Sequence, residues 1–144
     1  MWTIKRFNEL TVDELHAIYK LRVKVFVVEQ NCAYPDVDDL DKDAIHVFNE
    51  GIKAYARIIP GKDFIQIGRI VVEPDFRREG YGHAVLSQAI DYCQKNYPST
   101  DIRVQAQAYL EDFYISFGFK SQSDVYLEDN IPHIDMVKVT AQDD

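Results

Sequence analysis

The chain has 144 residues, enough for one domain that buries roughly two-thirds of its unfolded surface around a single core and too few for two. Its 16 basic and 24 acidic side chains leave a net charge of −8, which opposes polyanionic partners and excludes nucleic acid and anionic membrane surfaces as expected ligands. Apolar residues at 47% and charged residues at 28%, without a long apolar run, describe a soluble globular protein.

Residues 2–7 read as an edge strand and lack the basic-then-apolar build of a secretory signal, so the expected location is the cytoplasm, with Cys32 and Cys93 reduced. Thr11-Val-Asp-Glu14 is a capping box, and Leu15, Ile18, Tyr19, Val25 and Phe26 continue a helical face to about Glu29, with Arg22 and Lys24 turned away from it. A polar loop spans residues 30–43. Its aspartates 36, 38, 39, 41 and 43, against Lys42 alone, carry half of the net charge. Two readings of that loop stand, a solvated segment or a rim attracting a cationic ligand. A calcium loop begun at Asp36 would need glycine at 41 and glutamate at 47, which are Asp41 and Val47, so no metal is expected.

Residues 44–49 and 52–59 are strand-like runs around the hairpin signal Glu50-Gly51, and residues 64–72 form a longer, more continuously apolar central strand. From Gly80 the period becomes helical, with Val85, Leu86, Ala89, Ile90 and Cys93 on one face until Asn96-Tyr97-Pro98. A strand at 102–107, a short helix at 110–117 and strands at about 119–127 and 133–139 complete the order βαβββαβαββ. The expected fold class is α/β (α+β), one domain over residues 1–144. Its sheet is mixed and mostly antiparallel, with one parallel βαβ crossover and flanking helices.

The junction Ile70-Val-Val-Glu-Pro-Asp-Phe-Arg-Arg-Glu-Gly-Tyr-Gly-His83 passes from strand to helix through Arg77-x-x-Gly80-x-Gly82. Glycines there let backbone N–H groups approach a ligand, and the helix N-terminus adds positive potential, which together suit a pyrophosphate. An ordinary strand-to-helix turn is the alternative. A dinucleotide fingerprint wants a small residue where Val85 stands, and a P-loop needs a Gly-Lys-Ser/Thr that is absent.

This pattern resembles motif A of the GNAT superfamily of acetyl-CoA-dependent N-acyltransferases, and Tyr114-Ile-Ser-Phe-Gly-Phe119 is similar to the family's Tyr-x-x-x-Gly-Phe. Phe26-Val-Val-Glu-Gln-Asn-Cys32 and Tyr126-Leu-Glu-Asp-Asn-Ile-Pro-His133 resemble the ElaA-like branch. The resemblance implies acetyl-CoA as cosubstrate and an amine acceptor. The pantetheine arm would lie along Ile70, Val71 and Val72, and the pyrophosphate on Arg77, Arg78, Glu79, Gly80, Tyr81, Gly82 and His83. A backbone N–H of Val71 or Val72 would face the oxyanion, and Tyr114 would protonate the thiolate and contact the cofactor. Helical spacing with Leu110, Phe113 and Phe117 gives Tyr114 an alternative place in the core.

Candidates for the base are Glu29, Glu73, His46 and His133, with Glu29 and His46 preferred. His46 alternates onto the face of Ala44 and Phe48, where a hydrogen-bonded core histidine is the competing reading. Two other functions remain open. One is an acyl-CoA-binding sensor without catalysis. The other comes from Leu21-Arg-Val-Lys-Val-Phe-Val-Val-Glu-Gln30, which is similar to the N-terminal block of acyl-homoserine-lactone synthases. Homodimerisation is left open.

Overall fold

The computed structural model describes residues 1–139. A twisted sheet runs in the order β1-β2-β3-β4-β5-β8-β6, with β7 also pairing β8. Its strands are β1 (Trp2–Arg6), β2 (Ile45–Asn49), β3 (Ala54–Pro60), β4 (Phe64–Val72), β5 (Asp101–Gln107), β6 (Lys120–Ser121), β7 (Tyr126–Glu128) and β8 (Ile131–Lys138). The helices are α1 (Val12–Arg22), α2 (Tyr81–Asn96) and α3 (Glu111–Ile115). All pairings are antiparallel except that of β4 with β5, which the α2 crossover makes parallel. The expected sheet is thus observed, with the penultimate strand broken into two short pieces, β6 and β7.

The helices cover opposite faces. Val85, Leu86, Ala89, Ile90 and Cys93 of α2 pack on Ala54, Ala56, Ile58, Ile65 and Ile67, while Ile18 and Leu21 of α1 join Val25, Phe48, Tyr55 and Val71 on the other side. Strand alternation explains this division along β3, where Tyr55 points away from Ala54 and Ala56. Along β4 the alternation slips. Ile65 and Ile67 face α2, and so do Ile70 and Val72, while Val71 faces α1.

A β-bulge causes the slip. Gly68 lies opposite Arg57 and Val71 opposite Tyr55, so Arg69 and Ile70 together face Ala56 alone. Arg69 has φ +51°, a left-handed backbone that costs a residue with a Cβ about 1–2 kcal/mol.

Thr11 caps α1, its Oγ1 accepting from the Glu14 amide at 3.0 Å while the Glu14 carboxylate accepts from the Thr11 amide at 2.9 Å. The helix then widens. Over Val23–Glu29 the bonding becomes π-helical, and the amides of Gln30 and Cys32 reach back five residues to the carbonyls of Val25 and Val27.

Arg22, expected to point away from the core face, is completely buried. Its Nη1 donates to Asp41 Oδ1 at 2.7 Å, its Nε to Asp36 Oδ2 at 3.0 Å and its Nη2 to the Asp36 carbonyl at 2.7 Å. Arg57, also buried, reaches Asp38 at 2.7 Å and Asp41 at 3.0 Å. Neither reading of the aspartate loop survives for Asp36 and Asp41. Both are buried counter-charges for arginines of α1 and the sheet. Burial alone would raise the pKa of Asp41, but the hydrogen bonds and charges of Arg22 and Arg57 outweigh it and hold the carboxyl below its ordinary 3.8.

Removing one member of such a cluster strands the others without solvent. Arg22→Ala is expected to destabilise the protein by about 3–5 kcal/mol, measured as the shift in urea midpoint at constant slope.

Candidate active site

The parallel pairing of β4 with β5 lasts only from Phe64↔Asp101 to Gln66↔Arg103. Beyond it β5 continues against β8 as far as Gln107↔His133, while β4 runs on to Val72 with no strand on that side. The two diverge like the arms of a V, and a cleft of about 860 Å³ opens between them, within the range of small-molecule sites.

Alternation determines which β4 groups face this opening. The Glu73 amide donates to the Lys53 carbonyl at 2.7 Å, so Glu73 points its polar backbone toward β3, as does Val71 two residues earlier. Val72 therefore turns its N–H and carbonyl toward the cleft. Arg77 Nε, 3.4 Å from the Val72 carbonyl, lies on that side. Of the two expected oxyanion amides, Val71 faces Tyr55 and Val72 faces the cleft.

At one end of the cleft stands the N-terminus of α2. Gly80, with φ +85°, turns the chain into the helix, and the first intrahelical bond runs from the Ala84 amide to its carbonyl at 3.0 Å. The amides of Tyr81, Gly82 and His83 precede that ladder and lack helical partners. A Cβ built on Gly82 would stand 3.8 Å from Val72, an ordinary contact, so the fold itself does not require a glycine beside the cleft. Gly82 and Arg77 line the cleft. Arg78, Glu79 and Gly80 form the exposed turn beside it, and Tyr81 and His83 pack by their rings on Phe76 and Phe117.

Tyr114 lines the opposite wall with Leu110 and Phe113. Its ring is buried edge-on against Phe113 and Phe119, so it is a core residue. Tyr114 nevertheless lines the cleft, and no hydrogen bond among the described residues ties up its hydroxyl. Burial drives its pKa upward, so the phenol keeps its proton at neutral pH.

The base candidates separate. His46 is fully buried between the Tyr55 hydroxyl, 2.6 Å from Nδ1, and the Asp41 carbonyl, 2.9 Å from Nε2. With both ring nitrogens engaged and no surface on the cleft, it cannot reach a substrate, which corrects its assignment as base. Glu29 does line the cleft, but both its oxygens accept from Arg77, at 2.6 and 2.7 Å, and that bonding lowers its pKa. Glu73 pairs with Lys24 at 2.6 Å.

His133 also lines the cleft. Its Nδ1 lies 2.7 Å from the Ile131 carbonyl, which can only accept. The neutral ring must then carry its proton on Nδ1 and present an unshared pair at Nε2.

Sequence reading passed over Gln105 and Gln107, whose alternation along β5 signals an open face, and Tyr109, exposed at the cleft mouth. Cys32 lines the cleft and is free, its Sγ donating to the Asp129 carbonyl at 3.7 Å. Cys93 is free in the core, where burial pushes its thiol up to about 12. Among the described residues no group of acidic, histidine or cysteine side chains is arranged to hold a metal, and no helix is long and apolar enough to cross a membrane.

The sheet is thus parted between two parallel strands, with a helix N-terminus at one end of the gap. The acetyltransferase (GNAT) domain family matches residues 20–140, and the chain belongs to that family. It is 46% identical to a UPF0039 protein of Schizosaccharomyces pombe, covering 92% of each chain, and 40% identical to protein ElaA of Escherichia coli, covering 98% of this chain and 97% of that one. The crystal structure of Escherichia coli ElaA superposes with a TM-score of 0.91 at 40% identity, over 96% of this chain and 99% of that one. That of an acyl-CoA N-acyltransferase from Pseudomonas aeruginosa also gives 0.91, at 37% identity and the same coverage. A CoA-dependent acyl-homoserine lactone synthase shares the fold alone, with a TM-score of 0.82 at 16% identity over 97% of this chain and 83% of that one.

Burial of His46 has a consequence for stability. Desolvation lowers its pKa from 6.5, so the folded protein resists a proton that the unfolded chain accepts. The contribution is complete above about pH 6.5 and is lost as pH falls toward the folded value. Urea midpoints at pH 7.5 and 5.5 should show that loss in the parent and a smaller one in His46→Gln.

Proposed function

We propose that the protein transfers an acetyl group from acetyl-CoA to a primary amine of a small molecule or peptide, by direct attack within a ternary complex. The observation that carries this reading is the open edge of β4, whose unpaired backbone groups match the amides of an extended pantetheine arm. The arm would act as the missing strand between β4 and β5. The free amides of Tyr81, Gly82 and His83 supply an anion site for the pyrophosphate. Arg77 is held by Glu29, and a surface pair with both side chains about 40% exposed contributes only about 0–1 kcal/mol, so phosphate oxygens can compete for the guanidinium.

In this reading the amine attacks the thioester carbonyl, whose developing negative charge meets the outward amides of Ile70 and Val72. His133 Nε2 accepts the proton the amine must lose, and the Tyr114 hydroxyl donates one to the departing thiolate. The histidine is preferred to Glu29 as base because it has an uncommitted acceptor on the cleft. A cationic acceptor is favoured, since Arg57, Arg69 and Arg77 are each paired with carboxylates, whereas Glu128 and Asp129 on the cleft wall have no salt-bridge partner among the described residues.

Thiol release from acetyl-CoA across a panel of amines is the direct test, and release no faster than hydrolysis with every amine rejects the proposal. With an accepted amine, single-turnover rates should fall by about 10²–10⁴-fold in Tyr114→Phe, with CoA affinity retained. A parental rate would return Tyr114 to a packing role. His133→Gln should lose at least as much, and Glu29→Gln much less. The reverse order would make Glu29 the base. Gly82→Val should weaken CoA binding in calorimetry while the protein stays folded, because the fold has room for a Cβ there but the approach of a pyrophosphate to the amides does not.

A further inference from the structure

Arg69 is the residue of the β4 bulge that takes the left-handed backbone, yet the glycine of this stretch is its neighbour, Gly68. The Arg69 side chain is anchored. Its Nε lies 2.9 Å from Asp36 Oδ1, an ion pair in which the Nε–H is not directed at the carboxylate, and its Nη2 donates to the Asp36 carbonyl at 3.0 Å and to Asp38 Oδ2 at 3.4 Å. Its guanidinium also stands 5.5 Å from the centre of the Tyr34 ring. Asp36 is itself immobilised, with its carboxylate 1% exposed, bonded to Arg22 and receiving the Tyr34 hydroxyl at 2.6 Å.

Without the extra residue in β4, Ile70 would stand opposite Tyr55 and turn its amide into the ladder with β3. With it, Val71 takes that place and Ile70 is released. We propose that the ion pair between the partly exposed Arg69 and the buried Asp36 is a positioning device for acyl transfer, fixing the left-handed residue and so the bulge that frees the Ile70 amide for the thioester. The inference rests on the acetyl-transfer reading for its chemistry, and on register alone for the bulge. It gives the aspartate loop a part in the reaction without any contact between loop and substrate.

Arg69→Ala and Arg69→Gly separate this from a role in stability alone. Both lose the ion pair and should melt at lower temperatures than the parent. Glycine adopts the left-handed backbone without strain, and alanine does not. Arg69→Gly should therefore keep the bulge and recover turnover that Arg69→Ala loses, with kcat differing by about tenfold or more between them. Amide exchange followed by NMR reads the register independently of activity. The Val71 and Glu73 amides should be protected in the parent and in Arg69→Gly. In Arg69→Ala the strand slips by one residue, and protection moves to Ile70. If Arg69→Ala does not fold, exchange in Arg69→Gly decides: protection kept at Val71 and Glu73 supports the assignment, and protection moved to Ile70 overturns it. Equal kcat and identical exchange in the two variants overturn it. If the parent acetylates no amine, exchange still decides the bulge, and the missing turnover counts against the acetyl-transfer reading.

Discussion

The architecture depends on where β4 and β5 stop pairing. Three registers hold them together at one end, and β5 then follows β8, leaving the backbone of β4 open toward the interior of the molecule. An open strand edge inside a protein must find partners in water or in a ligand. Every other element at the site is arranged about this requirement. The α2 crossover makes the two strands parallel and delivers its N-terminus beside the gap, while α3 closes the far wall with Tyr114.

Charge is organised by the same logic of compensation. The five acidic groups of the loop between α1 and β2 look in sequence like a field directed outward. Arg22, Arg57 and Arg69, from three different elements, draw Asp36, Asp38 and Asp41 inward. The desolvation of so many charges is tolerable because each arginine meets two carboxylates. The result is a fixed link between the helical layer and the strand that carries the open backbone. Charges left uncompensated on the cleft lie on the β7–β8 hairpin instead.

Much of this was legible in the chain. Periodicity gave α1, the three-strand meander and α2, and the Arg77-x-x-Gly80-x-Gly82 spacing located the helix N-terminus where the structure has it. Two kinds of feature escaped. The burial of Arg22 and His46 depends on partners 5 to 19 residues away that only the fold brings together, so neither could be told from a surface or catalytic group by local pattern. The bulge was recorded in Phe64-Ile-Gln-Ile-Gly-Arg-Ile-Val-Val72 as a break in the alternation, between apolar residues at 65 and 67 and those at 70 and 72. A run of strand-formers hides that break, because Val71 is apolar as well. His133 was visible as a candidate, but its tautomer required the Ile131 carbonyl to be in place.

The π-helical stretch Val23–Glu29 gives one wall of the cleft an unusual mechanical character. Its i→i+5 bonds enclose a wider ring than those of an α-helix and pack the backbone less well, so returning one turn to ordinary winding exchanges hydrogen bonds for others of equal number. Such a rewinding would swing the following side chains by roughly 100° about the axis, the angular step of one residue. Phe26 and Glu29 ride on this segment and both border the cleft. The mouth thereby stands on a more widely wound segment, facing a strand whose own register is shifted by a bulge.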